Sequence, residues 1–320
     1  MAVADTLRLA TWHGDFSRKG PGLLVKALAG EDPVPGLDLL AETGADVLLL
    51  TQIDYDAGHV ALGLLQSRLF ALGLEYSHVY AARPNTGRAT GRDLDGDGRR
   101  GGPRDAQGFG WFAGQGGMAV LSRHPLRAMQ DLSGLLWRDL PDSAMRADDL
   151  GHDIQRLSSA AHWHLRVETP DGSLDLLTLA ATPPVFDGPE DRNGRRNRDE
   201  VLLWAHVIDG RLGTPPDAPF AVIGNLNLDP ARGDGIRSAP QRLLVHPRLQ
   251  DPLPGQPTVT WDSTGPMRVS YVLPDRQLRV AGAGVTSPAE GAGPHGLVWV
   301  DLVLPEQPSQ LPEPEPPPPG

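Results

Sequence analysis

The chain contains no cysteine, and Lys19 and Lys26 are its only lysines. Without thiols, disulfides, thiolate nucleophiles and Cys-ligated zinc are excluded. Aromatic residues make up 5% of the chain. No run approaches the ~20 apolar residues that a membrane helix needs. Met1 to Leu7 lacks the basic start and apolar core of a secretory signal. A cytoplasmic location is therefore the default expectation, although a mature exported form would read the same. Positive charge is also scarce, and the net charge is -11. That argues against a sequence-independent grip on nucleic acid, which needs a basic surface. It does not exclude a nuclease, whose metal ligands are themselves acidic.

With 320 residues, 39% of them hydrophobic, the chain can bury one large core or two modest ones. The central stretch is Phe220 to Ile223, a buried strand by its apolar, β-branched character, followed by Gly224-Asn225-Leu226-Asn227. Alternation along an extended backbone would point both Asn side chains to one side. Further strands are expected at Leu7–Thr11, Ala45–Thr51, Tyr76–Ala81, Met118–Leu121, Leu157–Val167, Leu174–Ala180, Val269–Leu273 and Leu297–Leu302. Helices are expected at Leu23–Leu28, Gly36–Thr43, Ala61–Leu72 and Asp199–Leu212. The stretches Arg83–Gly117 and Pro183–Arg196 read as long Gly- and Arg-rich loops, a length that marks function or disorder. Several strands end in polar residues on one rim, which predicts a sandwich of two mixed sheets flanked by helices, with a pocket at that rim. The Pro- and Glu-rich tail from Pro305 to Gly320 cannot bury enough surface to order itself, so one folded domain over residues 1–304 is expected to precede it.

Four stretches together resemble the endonuclease/exonuclease/phosphatase superfamily. They are Leu9-Ala10-Thr11-Trp12-His13, Asp46 to Gln52, Gly224 to Asn227, and Gly293-Pro294-His295 before a terminal strand. The resemblance spans roughly residues 6 to 304. It is sharpest to a bacterial branch, through Asn85-Thr86-Gly87, Asp93 to Gly98, Gly117 to Arg123 and Thr182 to Asn197. It implies a four-layer α/β/β/α sandwich, an α/β (α+β) fold, and metal-assisted phosphoester hydrolysis. The family's phosphate-orienting Asn falls on His13, and its Mg²⁺-binding Glu on Gln52. Its Asp-x-Asn pair falls on Asn225 and Asn227, and its late-strand Asp on Ser270. Its inner-strand His falls on Ala180 or Ala181, and its terminal Asp-His on Pro294 and His295. Only Asn227 and His295 fit. A Gln carbonyl is a weak ligand for a hard cation, and an Asn cannot take a proton from water. The expectation is a catalytically degenerate member kept for binding, with no metal requirement.

Two alternatives stand beside it. One is an active phosphodiesterase or phosphatase using Mg²⁺ or Mn²⁺ at a site rebuilt from His13, Asp15, Asp54 or Asp56. The other is a Ca²⁺-stabilised interaction module built on Asp93, Asp95 and Asp97, which fit the start of a calcium loop but lack its closing carboxylate. Arg192, Arg195 and Arg196 form a candidate phosphate-binding loop, or a solvated one paired with neighbouring carboxylates. His162 and His164 share a strand face and read as a transition-metal pair or as ordinary strand histidines. A phosphate-bearing ligand or a protein is the expected partner.

Overall fold

In the computed structural model, residues 6–288 and 290–305 are described; the tail from 306 onward lies outside them. The chain begins with strand β1 (Leu7–Phe16), helices α1 (Leu23–Ala29) and α2 (Leu37–Thr43), strand β2 (Val47–Ile53) and helix α3 (Val60–Ala71). Strands β3 (His78–Tyr80), β4 (Gly117–Ser122), β5 (Leu126–Asp131), β6 (His162–Thr169) and β7 (Gly172–Ala180) follow. Helix α4 (Arg192–Ile208), strand β8 (Phe220–Asn225) and helix α5 (Ser238–Leu244) come next. The remaining strands are β9 (Val259–Trp261), β10 (Gly265–Met267), β11 (Ser270–Pro274), β12 (Arg279–Thr286) and β13 (Leu297–Val303).

Two mixed sheets form the middle layers. One has the order β12-β13-β1-β2-β4-β3, the other β11-β8-β7-β6-β5, and β9 with β10 makes a separate ribbon. The β1–β2 and β7–β8 pairs are parallel, the rest antiparallel. Apolar residues on both faces of the inner strands explain the layering, since such strands must be covered twice. Leu9, Val47, Leu49, Val120, Leu165, Leu176 and Ile223 fill the space between the sheets. Trp12, Leu48, Leu50 and Leu121 face α1, α2 and α3. Leu177, Leu179 and Val222 pack on α4 and α5 through Val201, Leu203, Trp204 and Leu243. The four-layer sandwich is thus present.

Several boundaries differ from the sequence expectation. The strand expected from Leu157 begins only at His162, because residues 157–161 turn to wrap the pocket wall. Helix α4 starts at Arg192, seven residues before the expected Asp199. Arg is a good helix former, so the stretch taken for a basic loop is partly the first turns of a buried helix. Asn225 and Asn227 do not continue one extended strand either. β8 ends at Asn225, and Asn227 adopts a left-handed backbone with φ 50°.

Candidate functional site

Strand register brings the site positions together. Asn225 at the end of β8 sits beside Ala180 of β7 on one flank and Ser270 of β11 on the other. In the facing sheet His13 of β1 pairs with Thr51 of β2. Gln52 then occupies a bulge, with φ 65°, where the pairing of β2 with β4 slips between Thr51 and Ile53. A bulge at a sheet rim re-aims a side chain. Gly116 leaves room for it, since a Cβ there would lie 2.8 Å from Gln52 Oε1. Gly224 is equally constrained, since a Cβ would lie 1.9 Å from the Leu179 carbonyl oxygen.

These elements surround a pocket of about 750 Å³. His13, Gln52, Asn227 and His295 line its floor, while Asn225 and Ser270 lie just beneath it, each 1% exposed. Ala180, Ala181, Pro183, Pro184, Val185 and Leu228 line the walls. Phe109, Trp111 and Phe186, exposed by 57%, 71% and 78%, stand at the mouth with Trp261.

The floor is a directed hydrogen-bond network. The backbone N–H of Asn227 donates to Asn225 Oδ1 over 2.9 Å. A backbone N–H can only donate, so it fixes which end of the Asn225 amide is oxygen. Asn225 Nδ2 therefore donates, to His13 Nδ1 at 2.7 Å and to Asn227 Oδ1 at 3.1 Å. His13 Nδ1 must present its single lone pair to that amide, and Thr51 Oγ1 lies 2.9 Å from the same nitrogen. The His13 proton is then on Nε2, and the ring is neutral. Asn227 Nδ2 donates onward to the Ala181 carbonyl over 2.6 Å.

Burial supports the same protonation state. It pushes the His13 pKa well below its ordinary value, and the neighbouring His295, 4.5 Å away between ring centroids, lowers it further. Burial pushes His295 down to about 4. His295 Nδ1 has no hydrogen-bond partner, which leaves its tautomer unset. Ser270 Oγ is likewise buried and unpartnered.

Three carboxylates considered for a rebuilt site lie elsewhere. Asp54 accepts hydrogen bonds from Ser17 Oγ and from the backbone N–H of Arg18 and Gly116. Asp56 accepts from Val60 and Ala61 N–H at the start of α3. The Asp15 side chain is largely exposed. None of the three lines the pocket.

The arginines bond within the fold. Arg195 forms a bidentate pair with Asp149 and also donates to the Ala144 carbonyl. Arg196 donates to the carbonyls of Leu157, Gln107 and Arg156, and Arg192 to those of Leu94 and Leu150. Their guanidinium groups hold the long loops to α4 and do not line the pocket.

His162 and His164 are structural too. His162 lies 2.7 Å from Ser158 Oγ and 3.0 Å from the Glu200 carbonyl. His164 Nε2 lies 2.9 Å from Asp175 Oδ2. Neither reaches His13 or His295. Among the described residues, Asp93, Asp95 and Asp97 alone offer three ligand-type side chains within 4.8 Å of one another. Their carboxylates also cap the backbone of their own turn, through the N–H groups of Gly96, Asp97, Gly98 and Arg99.

Two features were missed from the sequence: the aromatic mouth and the buried Glu200. The carboxylate of Glu200 holds the pocket wall from behind, accepting from Ser159 N–H and Oγ and from Thr182 N–H. Trp111 and Phe109, aromatics isolated in a Gly-rich stretch, were the available signal for the mouth.

Comparison with known proteins places this arrangement. The fold matches an endonuclease/exonuclease/phosphatase from Beutenbergia cavernae with TM-score 0.58 and 20% identity, covering 94% of this chain and 72% of that one. A protein of the same description from Bacteroides vulgatus matches with TM-score 0.53 and 12% identity, over 94% of this chain and 99% of that one. Sphingomyelinase C from Streptomyces griseocarneus matches with TM-score 0.51 and 12% identity, over 93% and 99%. At such identities the likeness shows the fold alone. No curated protein sequence matches the chain. The family model of the Endonuclease/Exonuclease/phosphatase family matches residues 37–304, and the chain belongs to that family.

Proposed function

We propose that this chain is a non-hydrolytic member of its family and acts by binding a ligand in the pocket. The observation that carries this reading is the direction of the hydrogen bond from Asn225 to His13. The position that would accept a proton from water in an active member holds an amide nitrogen that donates. Loss of a positioned general base typically costs ~10²–10⁴-fold.

The floor also does not fit a divalent metal. Mg²⁺ and Mn²⁺ favour hard oxygen ligands with at least one carboxylate. Gln52, Asn225 and Asn227 offer amides and His13 and His295 neutral rings. Asp229, the buried carboxylate of the pocket lining, accepts from the N–H groups of Ala231, Arg232 and Arg268.

The test is hydrolysis of bis(p-nitrophenyl) phosphate and p-nitrophenyl phosphate with millimolar Mg²⁺ or Mn²⁺. Rates at the protein-free background are expected. Turnover that vanishes in Asn227→Ala would overturn the reading.

A further inference from the structure

We infer that the pocket takes an uncharged amphiphilic small molecule, its neutral hydrogen-bonding head on the floor and its apolar body between the walls and the aromatic mouth. This rests on the non-hydrolytic reading and goes past it, because a family built around phosphate would lead one to expect an anionic ligand.

The first argument is charge. Anions are held by cations or by free backbone N–H groups. The floor supplies no cation. His13 is held neutral by the lone pair it must present to Asn225. The Asn227 N–H is taken by Asn225. Three charged residues line the pocket: Asp229, Arg232 and Asp234. Asp229 is buried, and its carboxylate repels an anion. Arg232 and Asp234 are exposed at the mouth and of opposite sign. Burying an ionised group without a partner costs several kcal/mol. A cation fares no better on the floor, because the Asp229 oxygens already accept three N–H groups.

The second argument is hydrogen-bonding capacity. Gln52 carries an amide among the residues that line the pocket, and His13 presents Nε2–H. Such neutral donors and acceptors suit hydroxyl or amide groups. The third argument is the remaining surface. Small-molecule sites of this size are mostly apolar with a few placed polar groups. Here the apolar part runs from Ala180 and Ala181 through Pro184 and Leu228 to Trp111 and Phe186.

The experiment uses three probes with one apolar tail and different heads: octyl β-D-glucopyranoside, octyl phosphate and octyltrimethylammonium. Each is titrated below its critical micelle concentration into the full chain at pH 7.5, with calorimetric detection. The glucoside is expected to bind tighter than either charged probe by about tenfold, equivalent to ~1.4 kcal/mol. Trp111→Ala, on the exposed mouth, should weaken it by about fivefold or more. Gln52→Lys, which places a cation on the floor, should reverse the preference toward octyl phosphate. If Gln52→Lys does not fold, Trp111→Ala carries the test. Equal or tighter binding of either charged probe to the unmodified chain overturns the proposal, as does no detectable binding of any probe. If phosphoester turnover appears, the reading beneath falls. If turnover is absent and octyl phosphate wins, only this inference falls.

Discussion

The pocket floor and the α4 face behind its wall sit within one fold and treat charge in opposite ways. Behind the wall, buried ionic groups are kept and fully engaged. Arg195 pairs with Asp149, Arg196 caps three carbonyls, and Glu200 accepts three donors. On the floor, Gln52, Asn225 and Asn227 are neutral amides, and burial keeps His13 and His295 neutral. The difference teaches that this fold buries charge where it holds loops to a helix. The pocket floor is built from neutral hydrogen-bonding groups instead.

The comparison breaks most sharply at Glu200. Its replacement by Ala leaves two backbone N–H groups and the Ser159 hydroxyl unpaired. Each buried donor left unsatisfied costs ~1–3 kcal/mol. Glu200→Ala should therefore lose stability on that scale in urea unfolding, and a loss under about 1 kcal/mol would show the wall is not held this way.

The second effect is pH dependence. Burial depresses the folded-state pKa of His162 and His295 to about 4, against an ordinary value of 6.5. The folded state then binds fewer protons than the unfolded chain between those values. This contribution to stability is complete above pH 6.5 and is lost as pH falls toward about 4, at ~1.4 kcal/mol per pH unit for each histidine. His13 acts in the same direction. Asp199 and Glu200, raised chiefly by burial, oppose it at the acid end. Thermal melting across this window should fall with acid, and a flat profile would contradict a neutral floor.

A smaller effect is expected at Asn225→Asp. The carboxylate cannot donate to Asn227 Oδ1, and its bond to His13 returns only once the proton sits on Nδ1. The change should destabilise by ~1–3 kcal/mol at pH 7.5, measured by urea unfolding. Smallest of all, Trp111→Ala should leave stability within ~0.5 kcal/mol, since its ring is mostly in solvent. A large loss would make the aromatic mouth part of the core.

Much of the sandwich was legible because its inner strands are continuous apolar runs, such as Val47 to Leu50 and Phe220 to Ile223. Helix α3 shows helical spacing at Leu62, Leu65 and Leu69. The edges were harder. β5 has no fully buried residue. β12 includes Gly282 and Gly284 and presents little to bury. Helix α4 was read late because Arg192 to Arg198 looks solvated, and only tertiary structure reveals that its arginines are buried against carbonyls. The site positions could be placed on one rim by strand ends. The polarity of their hydrogen bonds could not, since it depends on the left-handed turn at Asn227 that delivers its N–H to Asn225.

That turn has a consequence for what the pocket is shown. Because the Asn227 N–H dictates the amide orientation, and the amide dictates the imidazole proton, positions 13 and 225 are coupled. A carboxylate at 225 would draw the His13 proton from Nε2 to Nδ1, a tautomer change that needs no second substitution. A single substitution at 225 would therefore also replace the donor that His13 turns to the pocket with an acceptor.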